Sequence, residues 1–151
     1  MSALYQIAKV TAAPLIRLAW RPTVRGVEKI PSTGPVILAA NHLSVIDSLI
    51  IPSVVSRPVY YLAKSDYFEN PATRYLMTGL NQIPVDRSSG RASLLALDAA
   101  LPMLAAGGVL GIFPEGTRSP DGRLYRGRPG VAKLALDSGA VLVPTCLFGR
   151  E

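Results

Sequence analysis

Short apolar runs alternate with helical patterns along this chain, and this alternation limits the possible folds more than any other feature. Strands are predicted for the apolar runs Val24–Glu28, Val36–Ala40, Pro58–Ala63, Gln82–Val85, Val109–Phe113 and Val141–Leu147. Helices are predicted between them, at Ser48–Val55, Pro71–Gly79, Gly90–Ala106 and Pro129–Ser138. Such alternation indicates an α/β fold with a mixed, largely parallel central sheet flanked by helices.

The composition fits one globular domain with an N-terminal extension. Of the 151 residues, 49% are hydrophobic and 17% are charged, which is enough apolar surface for a core and too little charge for a disordered chain. We expect an amphipathic helical segment at residues 1–22 and the main domain at residues 23–151. Because the sequence stops soon after a strand candidate, we also expect this domain to lack a C-terminal portion.

The formal net charge of +6 predicts an anionic partner, such as an anionic membrane or a phosphorylated substrate. The basic residues do not form a Lys/Arg run interleaved with aromatic side chains, so we expect no nucleic-acid partner. One histidine and one cysteine provide no metal-ligand cluster. We therefore expect neither a metal nor a cofactor.

Residues 3–20 predict an amphipathic helix with a kink at Pro14. One side carries Gln6, Lys9, Ala13 and Arg17, and the opposite side carries Leu4, Ala8, Leu15 and Leu18, flanked by Tyr5, Ile7, Ile16 and Trp20. No apolar run is long enough to span a bilayer. The helix is expected to lie on an anionic membrane surface with Lys9 and Arg17 among the headgroups. The alternative is a surface helix that packs its apolar side on its own domain.

A base and an acid follow the apolar run Val36–Ala40. His42 is the only histidine, and Asp47 lies five positions after it. On one continuous helix these side chains would diverge by roughly 140°, so a hydrogen bond between them requires a strand-to-helix turn. An aspartate bonded to one imidazole nitrogen leaves the other free as a base. From the spacing alone, a core or capping histidine beside a helix-capping acid is an equal alternative.

Charged residues follow several of the strand candidates. His42, Lys64 and Arg87 each come directly after an apolar run, and so does the segment Glu115–Arg118. If the strands run parallel, their carboxyl ends meet at one edge of the sheet, where ligands of such folds bind. Arginine pairs with phosphate through two hydrogen bonds. The sequence therefore predicts a basic site beside a potential proton acceptor.

Two stretches resemble sequence blocks of the glycerolipid acyltransferase family, best known for the lysophosphatidate acyltransferases. Asn41–Asp47 carries a histidine and an aspartate separated by four residues, and Phe113–Ser119 reads FPEGTRS. Gly79–Arg87 and Val143–Thr145 look like the remaining two blocks of the family. The blocks occur in the family's order, and the resemblance covers about residues 24 to 148.

The resemblance implies transfer of a fatty acyl group from acyl-CoA or acyl carrier protein to the free hydroxyl of lysophosphatidate, giving phosphatidate. It implies that His42 is the base and Asp47 its orienting partner. Arg87 and Arg118 would hold the acceptor's phosphate, with Lys64 as a further candidate. A lipid acceptor implies a peripheral or monotopic protein on the cytoplasmic face of a membrane. The implied reaction is direct transfer and requires no covalent acyl-enzyme.

Other residues of the blocks have less certain roles. Glu115 would orient Arg87 or Arg118, or receive the acceptor hydroxyl. Backbone N–H groups of Gly116 and Thr117 would bind an anion or merely hold a turn. The oxyanion donors would come from the turn at His42 or from Glu115–Thr117. Ser44 is interpreted as a helix cap rather than a nucleophile, because it lacks a nucleophile-elbow context.

Two other function classes remain open at this stage. A related transferase of the same fold would use glycerol-3-phosphate or a glycolipid as acceptor. A non-catalytic module would bind lipid without turnover. A groove for the acyl chain has four loose candidates, which are Tyr60, Tyr61, Tyr67 and Phe68.

Overall fold

Five strands form one sheet in which every pairing within the described part of the chain is parallel. The structure, a computed structural model, describes residues 2–85 and 97–149. The strands are β1 Val36–Ala40, β2 Val59–Lys64, β3 Gln82–Val85, β4 Val109–Ile112 and β5 Val141–Thr145. Their order across the sheet is β3-β2-β4-β1-β5, with parallel pairing throughout. The predicted α/β fold is confirmed.

Helices connect the strands, as parallel pairing requires. They are α1 Ala3–Trp20, α2 Asp47–Val54, α3 Pro71–Gly79, α4 Leu101–Ala105 and α5 Gly130–Ser138. Short 3-10 helices occur at Val27–Lys29 and Ser65–Phe68. Pro71 begins α3, and Gly139 ends α5 in the left-handed conformation with φ of 63°, as expected for these residues.

The central strand β1 is buried on both faces. Val36 and Leu38 pack with Ile51 and Val55 near α2 on one side. On the other side, Ile37 packs against a cluster that includes Leu104 and Leu134. Burial of each such side chain contributes about 1.5–3 kcal/mol. This two-sided burial explains why the strand sequence is continuously apolar rather than alternating, and it fixes the position of the residues that follow Ala40.

Two predicted elements are wrong in part. Residues 24–28 form no strand, because Gly26 adopts the left-handed conformation with φ of 76° and begins the 3-10 turn Val27–Lys29. Gly90–Ala106 was predicted to be one long helix, but residues 86–96 lie outside the described part. Within that part, a turn at Ala99–Ala100 separates Leu97–Asp98 from α4, which begins one residue before Pro102.

Helix α1 is unbroken across Pro14, where a kink and two short pieces were predicted. Proline at this position deprives the carbonyl of Val10 of its usual helical donor. Val10 is 75% exposed and Pro14 is also exposed, so solvent can hydrogen-bond the freed carbonyl and the helix continues.

The predicted placement of the cations of α1 among lipid headgroups is wrong. Lys9 donates to the carbonyls of Pro52 and Val55, and Arg17 donates to the carbonyl of Ser53. These carbonyls lie at the C-terminal end of α2, where a cation is stabilised by the helix dipole. Burial, and secondarily the charge of Arg17, lowers the pKa of Lys9. Both cations therefore face the protein.

Part of the apolar surface of α1 is open to its surroundings, whereas Tyr5 and Ile16 face the protein. Its exposed large side chains are Ile7, Val10, Leu15, Leu18 and Trp20. Among the helices of the described residues, none combines the length and apolar character required to cross a membrane.

Candidate active site

The parallel sheet brings the segments after β1 and β4 together, because these strands are neighbours with Ala39 opposite Ile112. The segment after β1 is the His42 turn, residues 41–46. The segment after β4 is here called the arginine loop, residues 114–128. The amide of Ser119 donates to the carbonyl of His42 at 2.8 Å. The predicted convergence of these two segments at one edge of the sheet is thereby observed.

His42 and Asp47 form the predicted pair. Nδ1 of His42 lies 3.0 Å from Oδ2 of Asp47, and the two side chains are only 16% and 6% exposed. Asp47 is the first residue of α2, so the chain bends between the two residues as the spacing requires. An ionised carboxylate can only accept, so Nδ1 carries the hydrogen and Nε2 has a free lone pair.

Oδ2 of Asp47 also holds the backbone of the turn. It accepts from the amides of Leu43 at 2.7 Å and Ser44 at 2.8 Å. A single oxygen thus receives three N–H groups. These bonds fix the carboxylate beside the imidazole. A fixed carboxylate is required to hold the imidazole in one tautomer and one orientation.

Phe113 fixes the plane of the imidazole. Its ring stacks on that of His42 with centroids 3.8 Å apart and an interplanar angle of 11°. Tyr61 stacks in turn on Phe113 at 5.9 Å. Tyr61 lies across Gly111, where an added Cβ would come within 2.4 Å of the tyrosine ring. A side chain at position 111 would therefore displace the stack on which His42 rests.

Asn41 ties the His42 turn to the end of β5. Its Oδ1 accepts from the amide of Leu147 at 2.7 Å, and its Nδ2 donates to the carbonyl of Leu147 at 2.9 Å. The side-chain amide thus binds both backbone polar groups of Leu147. This anchor holds the residue that immediately precedes His42.

Glu115 is buried, with 7% of its surface exposed. Its Oε1 accepts from the amide of His42 at 3.1 Å, and its Oε2 accepts from the amide of Tyr125 at 3.0 Å. No arginine of the described residues pairs with it. The expectation that it orients Arg118 is therefore wrong, because two backbone amides take up the carboxylate.

The predicted cations differ in their surroundings. Arg118 is exposed, and no carboxylate of residues 2–85 or 97–149 pairs with it. Lys64 is the last residue of β2 and pairs with Asp66, a hydrogen bond that raises the pKa of the lysine. Arg87 lies outside the described residues. Arg128, which the sequence did not single out, packs its guanidinium over Gly116, 3.1 Å from an added Cβ.

Several backbone amides that were candidates for stabilising an oxyanion are already occupied. Those of His42, Leu43 and Ser44 donate to carboxylates, and that of Gly116 donates to the carbonyl of Phe113 at 2.9 Å. In the predicted turn this leaves the amides of Glu115 and Thr117. Gly116 itself has φ of 75°, which explains the glycine in this turn.

Ser44 was predicted to cap α2, and this is wrong. The helix begins after Ile46 without a side-chain cap, and the hydroxyl of Ser44 accepts only a long bond of 3.4 Å from the amide of Ile46. The first amides of the helix, those of Asp47, Ser48 and Leu49, donate to backbone carbonyls instead. The hydroxyl is exposed and is not bonded to His42.

An apolar cavity of about 120 Å³ lies between α1, α2 and β2. Tyr61 lines it, together with Tyr5, Ile16, Leu49 and Leu80, whereas Tyr60, Tyr67 and Phe68 do not. Burial raises the pKa of Tyr61, whose hydroxyl has no hydrogen-bond partner in the described part of the chain. Of the four loose candidates for an acyl groove, only Tyr61 borders this cavity.

Comparison with known proteins identifies the chain at the level of its family. The family model described as "Acyltransferase" matches residues 21–147. The chain belongs to the acyltransferase family. The resemblance stated from the four sequence blocks is thereby confirmed.

Relatives within this family include named lysophosphatidate acyltransferases. A chloroplastic 1-acyl-sn-glycerol-3-phosphate acyltransferase of Arabidopsis thaliana is 30% identical over 144 residues, which is 95% of this chain and 40% of the relative. The 1-acyl-sn-glycerol-3-phosphate acyltransferase of Borreliella burgdorferi is 33% identical over 128 residues, or 85% of this chain and 51% of the relative. The chain thus spans about half the length of these relatives or less.

A solved structure shares the fold. The crystal structure of the 1-acyl-sn-glycerophosphate acyltransferase PlsC from Thermotoga maritima superimposes with a TM-score of 0.67 at 25% sequence identity. The match covers 92% of this chain and 58% of that protein. The parallel sheet and the flanking helices of this acyltransferase-family chain are therefore those of a known member.

Proposed function

We propose that this chain catalyses acyl transfer from an acyl thioester to the free hydroxyl of lysophosphatidate, giving phosphatidate. The observation that carries the proposal is the His42–Asp47 pair, held at 3.0 Å beside the arginine loop. Relatives named 1-acyl-sn-glycerol-3-phosphate acyltransferase support the choice of acceptor. Neither acyl-CoA nor acyl carrier protein is favoured as donor by any of these observations.

The proposed reaction uses the free lone pair of Nε2. His42 removes the proton of the acceptor hydroxyl as the oxygen attacks the thioester carbonyl. The tetrahedral intermediate then expels the thiolate, which receives the proton from the imidazolium. Asp47 stabilises that imidazolium while it exists. The amides of Glu115 and Thr117 are the candidate donors to the oxyanion, since that of Gly116 is already used.

Arg118 is proposed to bind the phosphate of the acceptor, together with Arg87 and Lys64. R118A is expected to raise the KM for lysophosphatidate more than the KM for the donor. Loss of one partner of a charge-assisted pair costs on the order of 2–5 kcal/mol, and the exposure of Arg118 favours the lower end. Steady-state kinetics with each substrate varied in turn measures the two constants.

Arg123 provides a matched control within the same loop. Its side chain is 85% exposed and lies 3.7 Å from Asp121, so R123A should leave both constants unchanged. A KM for lysophosphatidate that stays flat in R118A, while the KM for acyl-CoA rises, would move Arg118 to the donor site. That outcome is a real alternative because coenzyme A also carries phosphates.

The open side of α1 is proposed to rest on a membrane surface, which brings the site to its lipid acceptor. A membrane is proposed because the acceptor is a lipid and because this side of the helix exposes large apolar side chains. These are Ile7, Val10, Leu15, Leu18 and Trp20. Lys9 and Arg17 bind carbonyls of α2 and are unavailable to headgroups. Attraction to anionic lipid is therefore left to residues such as Arg21 and Arg25, which are exposed.

The triple variant V10S/L15S/L18S is expected to lose at least about ten-fold in vesicle binding, since each buried apolar side chain contributes about 1.5–3 kcal/mol. Co-sedimentation with vesicles of phosphatidylcholine and phosphatidylglycerol measures it. L136S is the control, because Leu136 is 84% exposed on α5. Equal binding by the triple variant and the wild type would remove α1 as the anchor.

The apolar cavity beside Tyr61 is proposed to admit part of the acyl chain. It lies on the same side of the sheet as α2, whose first residue is Asp47. An apolar chain would enter it without leaving a charged group unpaired, because the amine of Lys9, which also lines the cavity, donates to the carbonyls of Pro52 and Val55.

The decisive assay supplies the purified chain with acyl-CoA or acyl carrier protein and offers lysophosphatidate and glycerol-3-phosphate separately. Phosphatidate formed only with lysophosphatidate supports the proposal. Faster turnover of glycerol-3-phosphate would favour the related transferase. Donor cleavage independent of any acceptor would indicate a thioester hydrolase, and lipid binding without turnover a binding module.

A further inference from the structure

The carboxylate of Glu115 connects two segments that carry different parts of the site. One oxygen bonds the amide of His42 and the other bonds the amide of Tyr125. Glu115 is 7% exposed, so the carboxylate has left water and depends on these two donors. A buried charge of this kind is retained only where hydrogen bonds compensate it.

The arginine loop is closed at its base and attached to the His42 turn. The amide of Arg128 donates to the carbonyl of Pro114 at 2.9 Å, which brings the ends of the loop together, as in a compact Ω-loop. The amide of Ser119 donates to the carbonyl of His42. Together with Oε1 of Glu115 on the amide of His42, both backbone polar groups of the base are bonded to this loop.

We propose that Glu115 is a positioning residue, which fixes the backbone of His42 to the arginine loop and touches neither substrate. The proposal rests on the proposed role of His42 as the base. Its consequence is a rigid link between the residues that hold the phosphate and the residue that removes the proton. A shift of about 1 Å in such a constellation costs on the order of 10²-fold in rate.

The distinction from a substrate-binding role follows from the geometry. A residue that bound the acceptor would expose an oxygen to the site, whereas Glu115 is buried and both of its oxygens are turned towards backbone amides. Repulsion between a carboxylate and the acceptor's phosphate argues in the same direction. Glutamine in its place keeps the shape but cannot accept at both ends, because its nitrogen only donates.

The first test needs no substrate. Because His42 is the only histidine, labelling histidine with the heavy nitrogen isotope gives a single imidazole in nuclear magnetic resonance spectra. E115Q and E115D are expected to shift or broaden its Nδ1–H resonance. D137N is the control, because Asp137 is a carboxylate of α5 that pairs with Lys133, away from both the His42 turn and the arginine loop. It should leave the resonance unchanged.

The second test is kinetic. E115Q should lower kcat on the order of 10²-fold while the KM for lysophosphatidate changes less than roughly three-fold, the pattern of a group that acts only on the transition state. A large rise in that KM with kcat retained would overturn the proposal and make Glu115 a substrate ligand. D137N should match the wild type in both constants.

Two further results would overturn the proposal. One is a wild-type imidazole resonance in either folded variant. The other is rapid hydrogen exchange of the amides of His42 and Tyr125 in the wild type, where the proposal expects both to be protected. This result would exclude the link even if neither variant folded. A wild type that lacks acyl transfer would end the proposed function, yet the resonance and the exchange would still decide the role of Glu115.

Discussion

H42A is expected to abolish acyl transfer while the protein remains folded. His42 is the only histidine, and its Nε2 is the one imidazole nitrogen left free by Asp47. General base catalysis contributes roughly 10²–10⁴-fold to such reactions, and loss of the ring also removes the stacking partner of Phe113. The rate of phosphatidate formation, measured with both substrates saturating, tests the expectation.

S44A is the matched control for H42A, because it alters a neighbouring side chain without touching the imidazole. Its hydroxyl is exposed and makes only the long bond to the amide of Ile46, so activity should persist. Loss of a general base predicts a fall in turnover of at least about 10²-fold. If H42A kept more than about a tenth of the wild-type turnover, His42 would be excluded as the base. An inactive S44A would instead restore Ser44 as a nucleophile.

The sequence predicted the position of His42 because strict physical constraints act there. A continuously apolar run such as Val36–Ala40 fits only a strand covered on both faces, and the structure places it at the centre of the sheet. The five-residue spacing from His42 to Asp47 demanded a bend, and α2 begins at Asp47. Local rules were sufficient for both features.

The orientation of α1 could not be predicted in the same way. Its periodicity separates Lys9 and Arg17 from the larger apolar side chains, but it does not say which side faces the protein. The deciding factor is the C-terminal end of α2, whose carbonyls need donors and lie far away in sequence. Two cations satisfied them, and the apolar side chains Ile7, Leu15 and Leu18 were left outside.

The role of Glu115 depended on contacts between distant segments. In sequence, a carboxylate three residues before Arg118 suggests an ion pair. In the structure, the turn at Gly116 directs the carboxylate inward, where the amides of His42 and Tyr125 await acceptors. Phe113 escaped notice for the same reason, because its stacking on His42 needs β1 and β4 to be neighbours.

D47N is expected to lower kcat by on the order of 10²–10⁴-fold, as loss of the acid does in hydrolase triads. The substitution keeps the size of the side chain and an oxygen for the amides of Leu43 and Ser44. It removes the negative charge that stabilises the imidazolium, and the new amide nitrogen can favour the tautomer with the hydrogen on Nε2. Steady-state kinetics and a thermal melt separate activity from stability.

D137N is the control for D47N, because Asp137 is a carboxylate of α5 that pairs with Lys133 four residues before it, away from the His42 turn. It should keep full activity. The comparison with hydrolase triads demands a loss in kcat of at least about 10²-fold. If the kcat of D47N stayed within about ten-fold of the wild-type value, Asp47 would serve only as a hydrogen-bond acceptor for the backbone at the start of α2. In that case, the alternative left open by the spacing, a capping acid beside a histidine, would be the correct description of the pair.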